Sequence, residues 1–209
     1  MQYIEGADLI DLWPSLSWWR RLRIVWTLRG YISQLRKVKV ASVPGPIDAT
    51  GEPLRCSGNW FTEAGDGPFP TYHHLASWFN SKRRISIALS KESHRLRNLK
   101  YTPTDPAPFD DSAPLVLTHG DISLWNVRIG KDGTVWLLDW GYSGVYPQWF
   151  ESAGFMAYDD FNKTSPRSWL GFAPLIVGRY KSQNYFIRRI GLALIHWGVP
   201  DPDPEPLDP

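Results

Sequence analysis

The chain has 209 residues, of which 43% are hydrophobic and 21% charged, a composition that favours a folded domain with a packed core. Its 23 Lys and Arg residues nearly balance 21 Asp and Glu residues, and this net charge of +2 argues against both a nucleic-acid partner and an anionic membrane. The single cysteine, Cys56, excludes a disulfide framework, and no signal peptide or membrane-spanning stretch is evident, so we expect a cytoplasmic protein.

The N-terminal part begins with a short extended piece over residues 1–9, followed by a helix with Ser17 as its N-cap. One face of this helix is apolar and is formed by residues that recur at helical spacing, namely Leu22, Val25, Leu28, Ile32 and Leu35. The opposite face is basic, and we interpret it as a solvated surface rather than a nucleic-acid site.

The central part alternates breaker-rich loops with helices. Residues 43–70 are dense in Gly and Pro, which predicts a loop. Helices are predicted over 71–80 and 85–98, and another proline-rich linker over 102–114.

A short sheet is predicted next. Residues 114–118 form an apolar strand, and strands over 126–129 and 134–138 flank a Gly-Lys-Asp-Gly turn, which together predict a β-hairpin. Residues 171–197 are predicted to be largely helical. The fold class is therefore α+β and mostly α-helical.

Three polar side chains flank this predicted hairpin. Asn126 precedes its first strand and Asp139 follows its second, so antiparallel pairing brings both to the open end. Asp121 lies five residues before Asn126. A carboxylate and an amide oxygen suit a hard cation such as Mg²⁺, and a second carboxylate can accept a proton from a hydroxyl.

The spacing His119-Gly120-Asp121 followed by Asn126 has the His-x-Asp-x4-Asn form of kinase catalytic loops. Each residue alone also has a structural interpretation: His119 as a packed histidine, Asp121 as a cap for local amides, and Asp139 as a strand cap. The position of the motif before a hairpin that ends in Leu-Leu-Asp favours the catalytic interpretation.

The segments LTHGDISLWN and GTVWLLDWGYSGVYPQWFE resemble the aminoglycoside phosphotransferase and choline kinase group of protein kinase-like enzymes, in its fungal branch. MQYIEGADL is similar to the interlobe hinge of that group, and LRGYISQLR to the first helix of its large lobe. The resemblance implies a kinase-like large C-terminal lobe over residues 1–200. The Pro- and Asp-rich tail at 201–209 is predicted to be disordered.

The resemblance also implies ATP and Mg²⁺ as cofactors and a small-molecule hydroxyl as the phosphate acceptor. Asp121 would be the catalytic base, and Asn126 and Asp139 would hold the magnesium. His119, the other residue of the catalytic motif, would brace the loop rather than carry out chemistry.

The hinge residues carry a further implication. Met1 would gate the adenine pocket, and the backbones of Gln2 and Ile4 would bind adenine. Because the sequence starts at the hinge, the small N-terminal lobe with its phosphate-gripping lysine is expected to be absent. We therefore expect weak activity and self-association through the surface that this lobe would cover.

Two functional classes stay open. One is an ATP- and Mg²⁺-dependent phosphotransferase, impaired by the missing lobe; the other is a non-catalytic pseudokinase or truncated remnant that acts as a binding module. A Ser-His-Asp hydrolase is disfavoured because no G-x-S-x-G elbow occurs. The aromatic residues after Asp139 could form a cage for a cationic substrate, but we favour core packing; they are Trp140, Tyr142, Tyr146 and Trp149.

Overall fold

A computed structural model describes residues 3–40, 42–48, 52, 54–100, 103–162, 165–196 and 198–204, without the side chains of 157–162. The chain is α+β and mostly helical, as predicted, and forms two compact units. The first unit comprises Met1–Val40 and Val116–Arg179, and the second comprises Ala41–Leu115 and Tyr180–Pro209.

The first unit contains the predicted hairpin. Strand β1 (Gly6–Asp8) pairs antiparallel with β3 (Val127–Gly130), which pairs antiparallel with β4 (Val135–Leu137). Strands β2 (Leu115–Thr118) and β5 (Gly144–Pro147) form a second sheet. Arg128 fastens β1 to β3, because its guanidinium contacts the Asp8 carboxylate at 2.6 Å and the Gly6 carbonyl at 2.9 Å.

Helix α1 (Leu9–Leu12) runs into a 3-10 turn (Trp13–Ser15), and α2 spans Trp18–Leu35. Ser17 caps α2 as predicted, since its hydroxyl accepts a hydrogen bond from the Arg20 amide. Of the predicted apolar face of α2, Val25, Leu28 and Ile32 are buried, whereas Leu22 and Leu35 are only partly buried. Tyr31 on this helix donates to the Val135 carbonyl of β4 at 2.7 Å.

The core of the first unit packs α2 and the hairpin against helices α4 (Phe150–Asn162), α5 (Arg167–Leu170) and α6 (Ala173–Ile176). Trp13 and Trp169 meet edge to face at 5.1 Å, and Phe155 stacks on Trp169 at 4.9 Å. This aromatic cluster uses two of the 12 tryptophans of the chain. Ile122 and Leu124, in the loop between β2 and β3, belong to the same buried core.

The second unit is built on α3 (Tyr72–Leu96) and α7 (Lys181–Ile195). The prediction of separate helices over 71–80 and 85–98 was wrong, because α3 continues through 81–84, where no Gly or Pro interrupts it. In its core, Phe79 stacks on Phe109 at 4.9 Å, and both rings contact Phe186 of α7. The region predicted to be largely helical, 171–197, contains the two helices α6 and α7, which are separated by a loop that includes Gly178.

Within the described part of the chain, no helix has the length and apolar character that crossing a bilayer requires. The predicted disorder of residues 201–209 stays a prediction, and residues 205–209 lie outside the described ranges. At the start of this tail, Asp201 contacts the Arg84 guanidinium of α3 at 2.6 Å.

Replacing Asp201 with alanine is expected to lower the free energy of unfolding by about 2 kcal/mol, because the largely buried Arg84 guanidinium loses its carboxylate. The matched control is Asp203→Ala, which removes an exposed carboxylate from the same segment. Thermal melts of the two variants check this prediction. Equal melting temperatures would show that the Arg84–Asp201 pair does not stabilise the second unit.

Candidate active site

The loop between β2 and β3 is fixed by a buried carboxylate from another part of the first unit. Glu151, in the first turn of α4, is 2% exposed. Its two carboxylate oxygens accept hydrogen bonds from the backbone amides of His119 at 2.8 Å and Gly120 at 3.0 Å. Glu151 therefore fixes the backbone immediately before Asp121.

Burial raises the pKa of Glu151, although the two amide hydrogen bonds and the nearby Arg36 charge oppose this shift. Arg36 itself donates to the carbonyls of Gln148 and Val177 at 3.3 and 2.7 Å, so its charge is held in place beside α4. The carboxylate is thus a constrained structural group, and it has no open path to solvent.

His119 connects the loop to the end of the hairpin. The side chain is fully buried; its Nε2 lies 2.9 Å from the Leu138 carbonyl, and its Nδ1 accepts the Asp121 amide at 3.2 Å. An Nδ1 that accepts a hydrogen bond carries no proton, so the ring is the neutral tautomer that donates from Nε2. This geometry suits a brace, the role that the family resemblance implies.

Burial lowers the pKa of His119 to about 4, against the hydrogen bond to Leu138 and the Asp139 charge, which raise it. The folded pKa is below that of the unfolded chain, so the stabilisation is complete above pH 6.5 and is lost as the pH falls toward 4. Over this pH range, the free energy of unfolding is expected to fall by about 3 kcal/mol. Chemical denaturation across this range should therefore give a flatter pH dependence for His119→Asn than for the unsubstituted chain.

The matched control for this measurement is His196→Asn, which makes the same substitution at an exposed histidine. A slope that is the same with and without His119 would contradict the assignment of His119 as a buried neutral imidazole.

Asp121 and Asn126 are directly joined. The Asn126 side-chain amide donates to the Asp121 backbone carbonyl at 2.9 Å and to its carboxylate at 2.8 Å. Burial raises the pKa of Asp121, the Asn126 hydrogen bond lowers it, and the Asp139 charge raises it, with a net upward shift. A carboxylate with a raised pKa is a better proton acceptor than a free one.

Asp139 lies at the open end of the hairpin, as predicted. The Leu138 amide donates to the Asn126 carbonyl at 2.8 Å, which places Asp139 one residue beyond this closing pair. Its φ of 59° is in the left-handed region, which non-glycine residues rarely adopt and which clusters at functional sites. Its exposed carboxylate accepts the Gly141 amide at 3.3 Å.

Asn126 and Asp139 carry oxygen donors of the kind that magnesium binds. The two Asn126 hydrogen bonds use its nitrogen, which leaves its side-chain oxygen available, and Asp139 adds an exposed carboxylate. In the described residues, no three His, Cys, Asp or Glu side chains group as a metal-binding cluster. Proteins commonly bind Mg²⁺ through one or two side chains, with phosphates and water completing the shell.

Gly120 is required by the close approach of the Tyr142 backbone. Its φ is +85°, and a Cβ at this position would lie 2.6 Å from the Tyr142 carbonyl oxygen. Any side chain here would displace either the loop or the segment that follows Asp139.

Of the residues predicted at the adenine pocket, the structure describes Ile4. Met1 and Gln2 lie outside the described residues, whereas Ile4 precedes β1 and is half-buried. The Lys131 amide donates to the Glu5 carbonyl at 3.3 Å, so the Ile4 segment runs along the turn end of the hairpin. Asn126 and Asp139 lie at the opposite end of the hairpin.

The aromatic residues after Asp139 divide into two groups. Tyr146 and Trp149 are buried, in agreement with the favoured interpretation as core. Trp140 and Tyr142 are instead 45% and 40% exposed, and Trp125 of the catalytic loop is 50% exposed. The Trp140 ring packs edge to face on His119 at 4.7 Å.

The sequence did not predict Glu151 as a residue of the site. The available signal was a lone acid in the apolar run YPQWFESAGFMAY, since an isolated carboxylate in such a run must be buried with partners or disrupt the packing. Its partners, the amides of His119 and Gly120, lie about thirty residues away in the chain and could not be identified without the fold.

Comparison with known protein families gives one result. The model of the phosphotransferase enzyme family (APH) matches residues 63–172, more than half of the chain and including the whole catalytic loop and hairpin. No curated protein matches the chain significantly. The chain therefore belongs to the phosphotransferase enzyme family.

Proposed function

We propose that this chain is an ATP- and Mg²⁺-dependent phosphotransferase that transfers the γ-phosphate to a small-molecule hydroxyl. The observation that carries the proposal is the Asp121–Asn126–Asp139 arrangement at the open end of the hairpin, on a loop held by Glu151. Within the family, we propose that the chain belongs to the fungal aminoglycoside phosphotransferase-like branch, which its motifs resemble.

In this proposal Asp121 is the general base. Its carboxylate orients the acceptor hydroxyl and takes its proton as the oxygen attacks phosphorus, and the Asn126 amide keeps the carboxylate in place. Asn126 and Asp139 would hold the magnesium, which when bound supplies neutralisation of phosphate charge. His119 positions the base by joining the Asp121 amide to the Leu138 carbonyl.

The nucleotide would lie along the hairpin. Its adenine would contact the backbone near Ile4, at the turn end, and its phosphates would reach the magnesium pair at the open end. The backbone of Gln2 is a further adenine contact that the family resemblance implies. The rings of Trp125, Trp140 and Tyr142, which are exposed, are candidates to contact the acceptor.

The test is Mg²⁺-dependent loss of the γ-phosphate from ATP, measured with purified protein and a panel of amines, sugars and aminoglycosides that carry hydroxyl groups. Turnover that rises with one acceptor class and needs Mg²⁺ supports the proposal. Binding of Mg·ATP without turnover would instead favour a non-catalytic binding module. Failure to bind Mg·ATP would contradict the proposal for this chain.

A further inference from the structure

Helix α2 exposes three tryptophans to solvent. Trp18 is 57% exposed, Trp19 is 75% exposed and Trp26 is 62% exposed. Tryptophan side chains bury large apolar areas when a partner is present, so a group of them in water marks an interaction surface. None of the three belongs to the site described above.

Trp19 and Trp26 form one surface with Arg23, and Trp18 adjoins this surface through its contact with Trp19. Trp18 and Trp19 meet edge to face at 4.9 Å, and Trp19, Leu22, Arg23, Trp26 and Thr27 line one shallow depression. Arg23 is four residues after Trp19 and three before Trp26, so Trp19, Arg23 and Trp26 lie on the same face of the helix. We call Trp18, Trp19 and Trp26 with Arg20 and Arg23 the tryptophan face.

The segment of the sequence that contains α2 is basic. Seven Lys and Arg residues and no Asp or Glu lie between Asp11 and Asp48, so the small net charge of the whole chain conceals a strongly basic segment. The guanidinium groups of Arg20 and Arg23 are exposed and form no ion pair or hydrogen bond with any described residue. Arg29 lies 5.5 Å from the centre of the Trp26 ring.

We propose that the tryptophan face binds the surface of an anionic lipid bilayer, with α2 lying in the plane of the headgroups. Indole rings favour the headgroup level of a bilayer, and guanidinium groups bind lipid phosphates and carboxylates. The opposite face of α2 is packed into the first unit, so the helix can present only this face. The proposal goes beyond phosphate transfer and replaces the expectation, drawn from net charge alone, of no membrane partner.

A second copy of the chain fits this face less well. In a two-fold symmetric contact, the Arg20 and Arg23 side chains of both copies would come together with no acid on the helix to neutralise them. A duplex nucleic acid would accept the arginines but would leave the indoles in water. An anionic bilayer satisfies both the rings and the charges.

The experiment is vesicle flotation of the full chain with phosphatidylcholine vesicles that contain or lack phosphatidylserine. We expect binding only to the vesicles with phosphatidylserine, and weaker binding as salt screens the arginines. Replacing Arg20 and Arg23 together with glutamine should weaken binding roughly 30-fold. Replacing Trp19 and Trp26 together with alanine should weaken it by on the order of tenfold or more.

Matched controls use the same residue types elsewhere. Trp136→Ala removes an exposed tryptophan of β4, and the pair Arg97→Gln with Lys100→Gln removes two exposed charges after α3; both should leave vesicle binding unchanged. The far-ultraviolet circular dichroism spectrum of each variant establishes that it is folded. Because the substitutions on the tryptophan face lie outside the proposed active site, their effect on ATP turnover separates a failure of this inference from a failure of the proposed function.

Four outcomes overturn the inference. The first is equal binding to neutral and anionic vesicles, and the second is binding that survives both double substitutions. The third is a chain that binds no vesicles and instead forms a dimer, where the dimer is lost when Trp19 and Trp26 are both replaced with alanine. The fourth is a chain that binds no vesicles but binds a duplex or single-stranded oligonucleotide through the same arginines.

Discussion

Replacing Asp121 with asparagine is expected to lower kcat for phosphate transfer by about 10² to 10⁴-fold, the contribution of a positioned general base. Asparagine has nearly the same shape and can still accept the Asn126 hydrogen bond through its side-chain oxygen, but it cannot take a proton. Steady-state kinetics with Mg·ATP and the best acceptor measure the effect. The KM for Mg·ATP should change little.

The pH dependence of kcat/KM provides a second observable for the same residue. Because the pKa of Asp121 is raised, chiefly by burial, the rate should fall on the acid side at a pH above the ordinary titration range of an aspartate. Asp11→Asn, which changes an exposed carboxylate of α1, is the matched control and should behave as the unsubstituted enzyme. A turnover number that Asp121→Asn leaves intact would show that another group is the base.

Replacing Glu151 with alanine is expected to lower the free energy of unfolding by about 3 kcal/mol and to reduce kcat strongly. The substitution leaves the buried amides of His119 and Gly120 without their acceptor, and each such loss costs roughly 1–3 kcal/mol. The loop that carries Asp121 would then lose its anchor to α4. Denaturant unfolding and kinetics on the same samples measure both effects.

Glu151→Gln is the matched variant, because it keeps the volume and one accepting oxygen but turns an amide group toward the second backbone N–H. Its stability and kcat should both lie between those of the alanine variant and the unsubstituted chain. If Glu151→Ala unfolds at the same denaturant concentration as the unsubstituted chain and keeps its kcat, the carboxylate does not anchor the loop.

The parts of the fold that the sequence predicted well are those in which neighbouring residues determine the structure. The Gly-Lys-Asp-Gly turn between two apolar runs predicts the hairpin, and the hairpin brings Asn126 and Asp139 to the same end because antiparallel pairing requires it. The helical spacing likewise identified Val25, Leu28 and Ile32 as buried residues of α2.

Longer-range features were missed because local patterns do not encode them. Glu151 meets the catalytic loop only after α4 packs against it, and Asp201 meets Arg84 only after the tail returns to α3. The exposure of Trp19 and Trp26 was also unforeseen, since tryptophan on a helix usually predicts burial and only the packed structure shows which side faces water.

Titration calorimetry with Mg·ATP tests most directly whether Asp121 is the general base and Asp139 a magnesium ligand. It compares the unsubstituted chain with the variants Asp121→Asn and Asp139→Asn. The proposed roles predict that Asp121→Asn binds Mg·ATP nearly as tightly as the unsubstituted chain, whereas Asp139→Asn loses the Mg²⁺-dependent part of the affinity. Equal affinities for all three proteins, or no binding by the unsubstituted chain, would contradict the assignment of this site as a magnesium and nucleotide centre.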